Sequence, residues 1–221
     1  MWFLPFLCGK IPQTSREMLL IFVTLPIKLK LYCMEKSFLF LADGFEEVEA
    51  ITVMDVLRRG GVELVTVSIY SHREVRGAHG IPVVADTCLK DIAEKEEGSC
   101  LLFPGGMPGA KNLSEEPRLI SWMQRHFDQG KLLAAICAAP ALVFSKLQTG
   151  RALRMTCYPG FESYLPHALL QPEGVVTDGH LITGKGPAFA LDFGLAVLAR
   201  LTSLATARQV AEGMLKSEVT A

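Results

Sequence analysis

One cysteine in this chain stands where a protein would build a nucleophile. The stretch Leu132-Leu133-Ala134-Ala135-Ile136-Cys137-Ala138-Ala139-Pro140 reads as a short buried strand running directly into a helix, with Cys137 at the junction. The run Leu132 to Ile136 is too short for a helix of its own and too apolar for a half-exposed strand, so it suits a central strand covered on both faces. Ala138 and Ala139 permit close approach, and Pro140 is tolerated in a first helical turn, where its missing N–H costs nothing. A thiol at a helix start is expected to ionise more readily, because the free N–H groups and the dipole favour the thiolate, which is the reactive form. On this stretch alone a buried, inert packing thiol fits equally well.

Two further places could complete such a site. Glu46-Glu47-Val48-Glu49 opens a helical pattern through Arg58-Arg59 to Gly60-Gly61, with acid at the start, base at the end and glycine beyond. Glu46 and Glu47 fit dipole complementarity on a wet surface. Glu49, beside the Thr52–Val53 edge, is the candidate for a carboxylate facing inward. Pro104-Gly105-Gly106-Met107-Pro108-Gly109 follows the apolar run Cys100 to Phe103. A glycine pair at the carboxyl end of a central strand lets backbone N–H groups turn into a crevice, although a plain tight loop has the same composition. It lacks a nucleotide fingerprint.

The elements that must hold these groups alternate. Strands are expected over Ser37–Ala42, Val62–Ile69, Cys100–Phe103 and Leu132–Ile136, with a hairpin through Asp178-Gly179. Val75–Ala85 reads as an irregular segment or small hairpin, and Asp86–Ile92 as a short helix. A helix capped by Asn112 to Ser114 carries Leu119, Trp122, Met123 and Phe127, and helical residues run from Ala141 to Leu147. Helices over Ala188–Leu201 and Ala205–Leu215 close the chain. This order predicts an α/β fold, a flavodoxin-like three-layer sandwich around a mostly parallel sheet with a nucleophile elbow.

The 221 residues are half apolar and one-fifth charged, with a formal net charge of −1, which suits a single globular domain and gives nucleic-acid binding no electrostatic support. The six cysteines (8, 33, 88, 100, 137 and 157) form no CxxC and no zinc-spaced cluster with histidine, so neither a metal nor another cofactor is expected. They resemble the thiols of a reducing compartment, and a cytoplasmic location follows as an expectation. Residues 1–33 stand apart as an N-terminal extension, with apolar patches broken by Pro5, Pro12 and Pro26. Met34 is expected to be the natural start of the domain 34–221. The second patch, Met18–Ile27, is shorter than the roughly 20 residues that span a bilayer, so no membrane association is expected.

Taken in order, Asp43-Gly44-Phe45-Glu46-Glu47-Val48-Glu49-Ala50, Leu102-Phe103-Pro104-Gly105-Gly106, Ala135-Ile136-Cys137-Ala138-Ala139-Pro140 and Thr183-Gly184-Lys185-Gly186-Pro187 resemble the PfpI/ThiJ superfamily, most closely its Parkinson-disease-protein (protein deglycase) branch. The resemblance covers about Met34 to Lys216. It implies Cys137 as nucleophile, Glu49 as the carboxyl group reaching its sulfur, and the N–H groups of Gly106 and Ala138, beside Gly105, as an oxyanion cradle. It also implies a homodimer, with the first helix and Arg58 and Arg59 contributing to the interface. Two departures stand out. Tyr158 occupies a position where the human relative has histidine, and tyrosine can donate a hydrogen bond but is no neutral-pH base. Ala138 follows the cysteine where protease-like members have histidine, which disfavours peptide hydrolysis. Most of the five histidines are expected at the surface. His79 falls near the site by the resemblance and is a candidate for substrate binding. Cys157 reads as a resolving thiol or a packed one.

The activity implied is a cysteine-dependent, glutathione-independent glyoxalase or deglycase acting on a small reactive aldehyde such as methylglyoxal, or on early glycation adducts. The alternative is a redox sensor or chaperone working through oxidation of Cys137 without turnover.

Overall fold

The computed structural model describes residues 35–216, so the expectations for the N-terminal extension and for a start at Met34 fall outside the described residues. The core is a seven-stranded sheet of β1 (Ser37–Leu41), β2 (Leu64–Ser68), β5 (Thr87–Cys88), β6 (Cys100–Phe103), β7 (Leu132–Ile136), β10 (Val175–Asp178) and β11 (Leu181–Gly184), in the order β10-β11-β7-β6-β1-β2-β5. Two small sheets lie outside it, one of β3 (Glu74–Arg76) and β4 (Pro82–Val84), the other of β8 (Arg154–Met155) and β9 (Leu169–Leu170). All neighbours run parallel except β10, which turns back on β11 as an antiparallel edge. β1, β6 and β7 are buried along their whole length, as a sheet covered on both faces requires.

Helices α1 (Glu47–Arg59), α5 (Ala190–Leu201) and α6 (Leu204–Gly213) pack together. Helices α2 (Gly109–Ser114), α3 (Pro117–Asp128) and α4 (Ala139–Leu142) form a second group. Gly194 lets α5 approach α1 closely, since a Cβ there would stand 3.3 Å from Val56 Cβ. The fold is the flavodoxin-like α/β sandwich expected. Among the described residues no helix is long and apolar enough to cross a membrane.

Strand register brings the chemistry to one edge. Phe103 lies opposite Ala135, and Ile136 opposite Gly184. The loops after β6, β7 and β11 therefore emerge side by side at the carboxyl end of the sheet, where open α/β sheets hold their ligands.

Four local expectations need correction or refinement. The segment after Cys137 is a single turn, α4, followed by a 3₁₀ turn over Phe144–Lys146, instead of one helix over 141–147. Asp86–Ile92 begins with β5, because the Asp86 carboxylate accepts from the N–H and hydroxyl of Thr66 and draws the chain against β2. Only Leu89–Asp91 coils. The helix expected from Asn112–Ser114 is two helices, the second capped by the Glu116 side chain with Pro117 in its first turn. The Val75–Ala85 segment is the small hairpin of β3 (Glu74–Arg76) and β4 (Pro82–Val84).

Candidate active site

Cys137 occupies the turn between β7 and α4 with φ +66°. A left-handed conformation in a non-glycine residue costs roughly 1–2 kcal/mol, and persists only where its surroundings enforce it. Here both flanking peptide groups are fixed. The Cys137 N–H donates to Gly184 O at 2.8 Å and its carbonyl accepts from Tyr158 N–H at 2.8 Å. The side chain is aimed at Gly105 in the loop after β6, and the N–H groups of Gly106 in that loop and of Ala138 at the start of α4 favour the ionised sulfur. Gly106 has φ +88°, which a glycine adopts without strain.

Glu49 reaches the same point from α1. It is fully buried, and its Oε2 accepts from Gly105 N–H at 2.8 Å. The Glu46 side chain caps α1 by accepting from Glu49 N–H at 2.7 Å, and Glu46 N–H donates to Gly105 O at 3.0 Å. Helix start and glycine loop are thus clamped together. Leu39, Val53, Leu102, Phe103, Ile136 and Phe193 surround the Glu49 carboxyl with apolar atoms. Its other oxygen, Oε1, is buried with no hydrogen-bond partner among the described residues. The Cys137 thiol is the neighbouring group that can donate to the carboxylate.

Burial pushes Glu49 up to about 7, against the hydrogen bonds from Cys137 and Gly105, while the charge of Glu46 adds to the rise. Burial also pushes Cys137 up to about 12, and the ionised Glu49 beside it adds to this, outweighing the N–H groups of Gly106 and Ala138. The expectation of a readily ionised thiol is therefore reversed. The helix behind Cys137 is one turn long and the sulfur is buried against a carboxylate, so desolvation and like charge win over the dipole. Both contributions from Glu49 vanish once Glu49 carries the proton. Sulfur and carboxyl thus form one proton-sharing pair, and transfer from Cys137 to Glu49 leaves a thiolate facing two N–H donors.

Gly105 makes the contact possible. A Cβ at this residue would stand 2.5 Å from Cys137 Cβ, 2.7 Å from Glu49 Oε2 and 2.9 Å from Cys137 Sγ. Gly105→Ala is expected to force thiol and carboxyl apart and to destabilise the fold by about 1–3 kcal/mol, as overpacking typically does. Urea unfolding checks this.

Residues 35–200 match the DJ-1/PfpI family model. The chain belongs to the DJ-1/PfpI family. Protein DJ-1alpha of Drosophila melanogaster is 30% identical over 185 residues, covering 83% of this chain and 85% of that relative. The Glutathione-independent glyoxalase DJR-1.2 of Caenorhabditis elegans is 32% identical over 171 residues, covering 76% and 89%. Protein DJ-1 homolog B of Arabidopsis thaliana is 34% identical over 168 residues and 76% of this chain, which spans only 38% of that longer protein. Among solved structures, Drosophila melanogaster DJ-1beta superposes with a TM-score of 0.79 at 29% identity, covering 84% of this chain and all of that one. Oxidized Toxoplasma gondii DJ-1 gives 0.78 at 32% identity, covering 83% of this chain and all of that one.

The remaining residues anticipated for a DJ-1/PfpI site divide. Tyr158 is beside the elbow, its backbone tied to Cys137 and its ring over Gly186, where a Cβ would come within 3.2 Å of Tyr Cδ2. His79 is on the β3–β4 hairpin and bonds to Glu47 instead of to Cys137 or Glu49. Its Nδ1 lies 2.7 Å from Glu47 Oε2 and its N–H donates to Glu47 Oε1 at 2.7 Å. Burial pushes the Cys157 thiol up to about 11, with the Glu162 charge adding. His126, unlike most of the histidines, is buried, with Nε2 3.1 Å from Leu132 O.

Glu47 is the residue that sequence reasoning misplaced. It is only 5% exposed. Burial raises its carboxyl, but the His79 ring and the N–H groups around it outweigh burial and leave it lowered, while Glu47 in turn raises His79. The signal was present: Glu47, Ala50, Met54 and Leu57 recur at helical spacing along one buried stripe of α1. Glu47→Ala is expected to cost about 1–3 kcal/mol by leaving the hairpin N–H groups unpaired, read as a lower urea midpoint. Glu46, Glu47 and His79 also bring ligand-type atoms within 4.8 Å of one another, the one such group among the described residues. Their donors are already engaged, Glu46 by Glu49 N–H and Glu47 by His79.

Proposed function

We propose that the protein is a cysteine-dependent, glutathione-independent glyoxalase or deglycase, acting on 2-oxoaldehydes such as methylglyoxal or on the early adducts they form. The observation that carries this reading is the buried pair itself: Glu49, with a proton affinity near neutrality, against Cys137, whose sulfur faces the N–H groups of Gly106 and Ala138. The likeness to a glutathione-independent glyoxalase of Caenorhabditis elegans supports it.

Ionised Glu49 takes the thiol proton as sulfur attacks the aldehyde carbon. Glu49 passes that proton to the carbonyl oxygen, so a hemithioacetal forms and the carboxylate is free again. Glu49 then moves a proton from that carbon to the neighbouring one through an enediol, giving a 2-hydroxyacyl thioester. Water cleaves the thioester, releasing the 2-hydroxy acid and restoring the thiol. The net change is an internal redox rearrangement plus one water, so no external oxidant or cofactor enters. Gly106 and Ala138 hold the developing oxyanion, an interaction worth about 3 kcal/mol per well-aimed donor. With an adduct, reversal of the aldehyde–amine or aldehyde–thiol bond frees the modified group and passes the aldehyde to the same chemistry. Tyr158 and His79 are the proposed substrate-binding side chains at the rim.

The reading includes a homodimer through α1, where Val48 and Ile51 are exposed apolar residues on the outer face. Sedimentation of the full chain tests this part. The activity is tested by lactate formation from methylglyoxal in the absence of glutathione, alongside amine release from a methylglyoxal-treated peptide. Absence of both products from the full-length protein overturns the proposal, and one stable two-oxygen adduct on Cys137 after mild peroxide would then favour redox sensing.

A further inference from the structure

Next to the elbow, three aromatic residues recur at intervals of three: Tyr158, Phe161 and Tyr164. A turn and a coil bring them into a row. Phe161 N–H donates to Tyr158 O at 3.2 Å across a turn in which Gly160 has φ +92°, and Tyr164 N–H donates to Phe161 O at 3.1 Å at the 3₁₀ turn Glu162–Tyr164. Their rings meet accordingly, Tyr158 edge-on to Phe161 with centroids 6.4 Å apart and Phe161 stacked on Tyr164 at 5.9 Å. Phe161 is seated against the core, while Tyr158 and Tyr164 remain 45% and 54% exposed.

The ladder is tied to the nucleophile at one end and to the helix after it at the other. Tyr158 N–H is bonded to Cys137 O, and the turn Glu162–Tyr164 packs against α4, the helix that follows Cys137. Exposed rings in a contiguous row are a poor use of apolar surface unless something covers them, and ring faces and edges suit flat partners. Nothing in the chemistry proposed for Cys137 and Glu49 needs three rings, since methylglyoxal carries only a methyl group beyond its two carbonyls.

We propose that Tyr158, Phe161 and Tyr164 form a specificity subsite for the substituent of the 2-oxoaldehyde, selecting substrates in which a flat apolar group is attached to the second carbonyl. This rests on the glyoxalase reading of the same site. The aldehyde carbon meets Cys137 Sγ, and the substituent extends along the ladder. The reaction is unchanged: an aryl-2-oxoaldehyde gives the aryl 2-hydroxy acid by the same thiol addition, proton transfer and hydrolysis. A ring contact of this kind is worth about 0.5–1.5 kcal/mol, hence up to roughly tenfold in kcat/KM per ring.

The test compares 4-biphenylglyoxal, which carries two rings beyond the second carbonyl, with methylglyoxal on the full-length protein and its Tyr164→Ala and Tyr164→Phe variants. The expected result is a preference of about tenfold or more for the biaryl compound. Tyr164→Ala should reduce kcat/KM for it about fivefold, mainly through KM, with methylglyoxal unchanged within twofold, and Tyr164→Phe should restore the preference. Equal values for both substrates in all three proteins overturn the subsite. If neither compound turns over, the glyoxalase reading fails, and the ladder is read separately by binding of unreactive 4-biphenylacetate to the Cys137→Ser protein. Saturation transfer to the biaryl protons, weakened about fivefold by Tyr164→Ala, supports the subsite. Equal transfer with and without Tyr164 overturns it.

Discussion

Cys137→Ser is expected to lower lactate formation from methylglyoxal by about a thousandfold or more, with the urea midpoint nearly unchanged. The size of the effect follows from how the site makes a nucleophile. Sulfur attack depends on transfer of one proton to Glu49, and even the thiol, pushed up to about 12, is a demanding donor for a carboxylate near 7. A serine hydroxyl holds its proton far more tightly, so the same carboxylate removes it only rarely, and its oxygen is the poorer nucleophile. Serine keeps the other features of the position. It has the same positive φ, the same two backbone bonds to Gly184 and Tyr158, and nearly the same volume. Stability and activity should therefore separate in this variant. Turnover that persisted at the parental rate would mean that the nucleophile lies elsewhere and that the strained elbow serves only packing.

The elbow was legible in sequence because its signals are local. An apolar pentapeptide, a cysteine, two alanines and a proline specify strand, turn and helix start within nine residues. The parallel sheet was legible from the alternation of such runs. What local pattern did not carry was the charge state of the site. Neighbours 56 and 88 residues from Glu49 set its proton affinity: Gly105 supplies the hydrogen bond and Cys137 the shared proton. From the stretch around Cys137 alone a helix dipole argues for an acidic thiol. The folded chain supplies one turn of helix and a buried carboxylate, and the argument changes sign. Glu47 shows the same limit, since its partner His79 arrives from a hairpin 32 residues away. The aromatic ladder was missed for another reason: Tyr158, Phe161 and Tyr164 lie in a weakly patterned segment, where spacing by three has no meaning until the turn at Gly160 and the 3₁₀ turn after it bring the rings together.

Glu49→Gln is expected to reduce kcat/KM for methylglyoxal by about 10²–10⁴-fold, the usual range for loss of a positioned acid–base group. In the parent, kcat/KM should rise with pH through about 7, because Glu49 must be ionised to accept the thiol proton. That limb should disappear in the glutamine variant. Stability gives a second reading of the same group, independent of turnover. Glu49 binds its proton more tightly in the folded protein, at about 7, than at its ordinary value of 4.5. Between these pH values the folded state holds a proton that the unfolded chain has released, so stability falls as pH rises from 4.5 and levels off above 7. At about 1.4 kcal/mol for each tenfold difference in proton affinity, the fall amounts to about 3 kcal/mol. Glutamine carries no charge into the apolar surroundings of Leu39, Val53, Phe103 and Phe193, and can still accept from Gly105 N–H through its side-chain oxygen. Urea unfolding of parent and variant at pH 5 and pH 8 should therefore show the parent losing stability relative to the variant across that interval. Parallel behaviour of the two proteins would place the Glu49 proton affinity at its ordinary value, and the carboxylate would then be too weak a base for the thiol it faces.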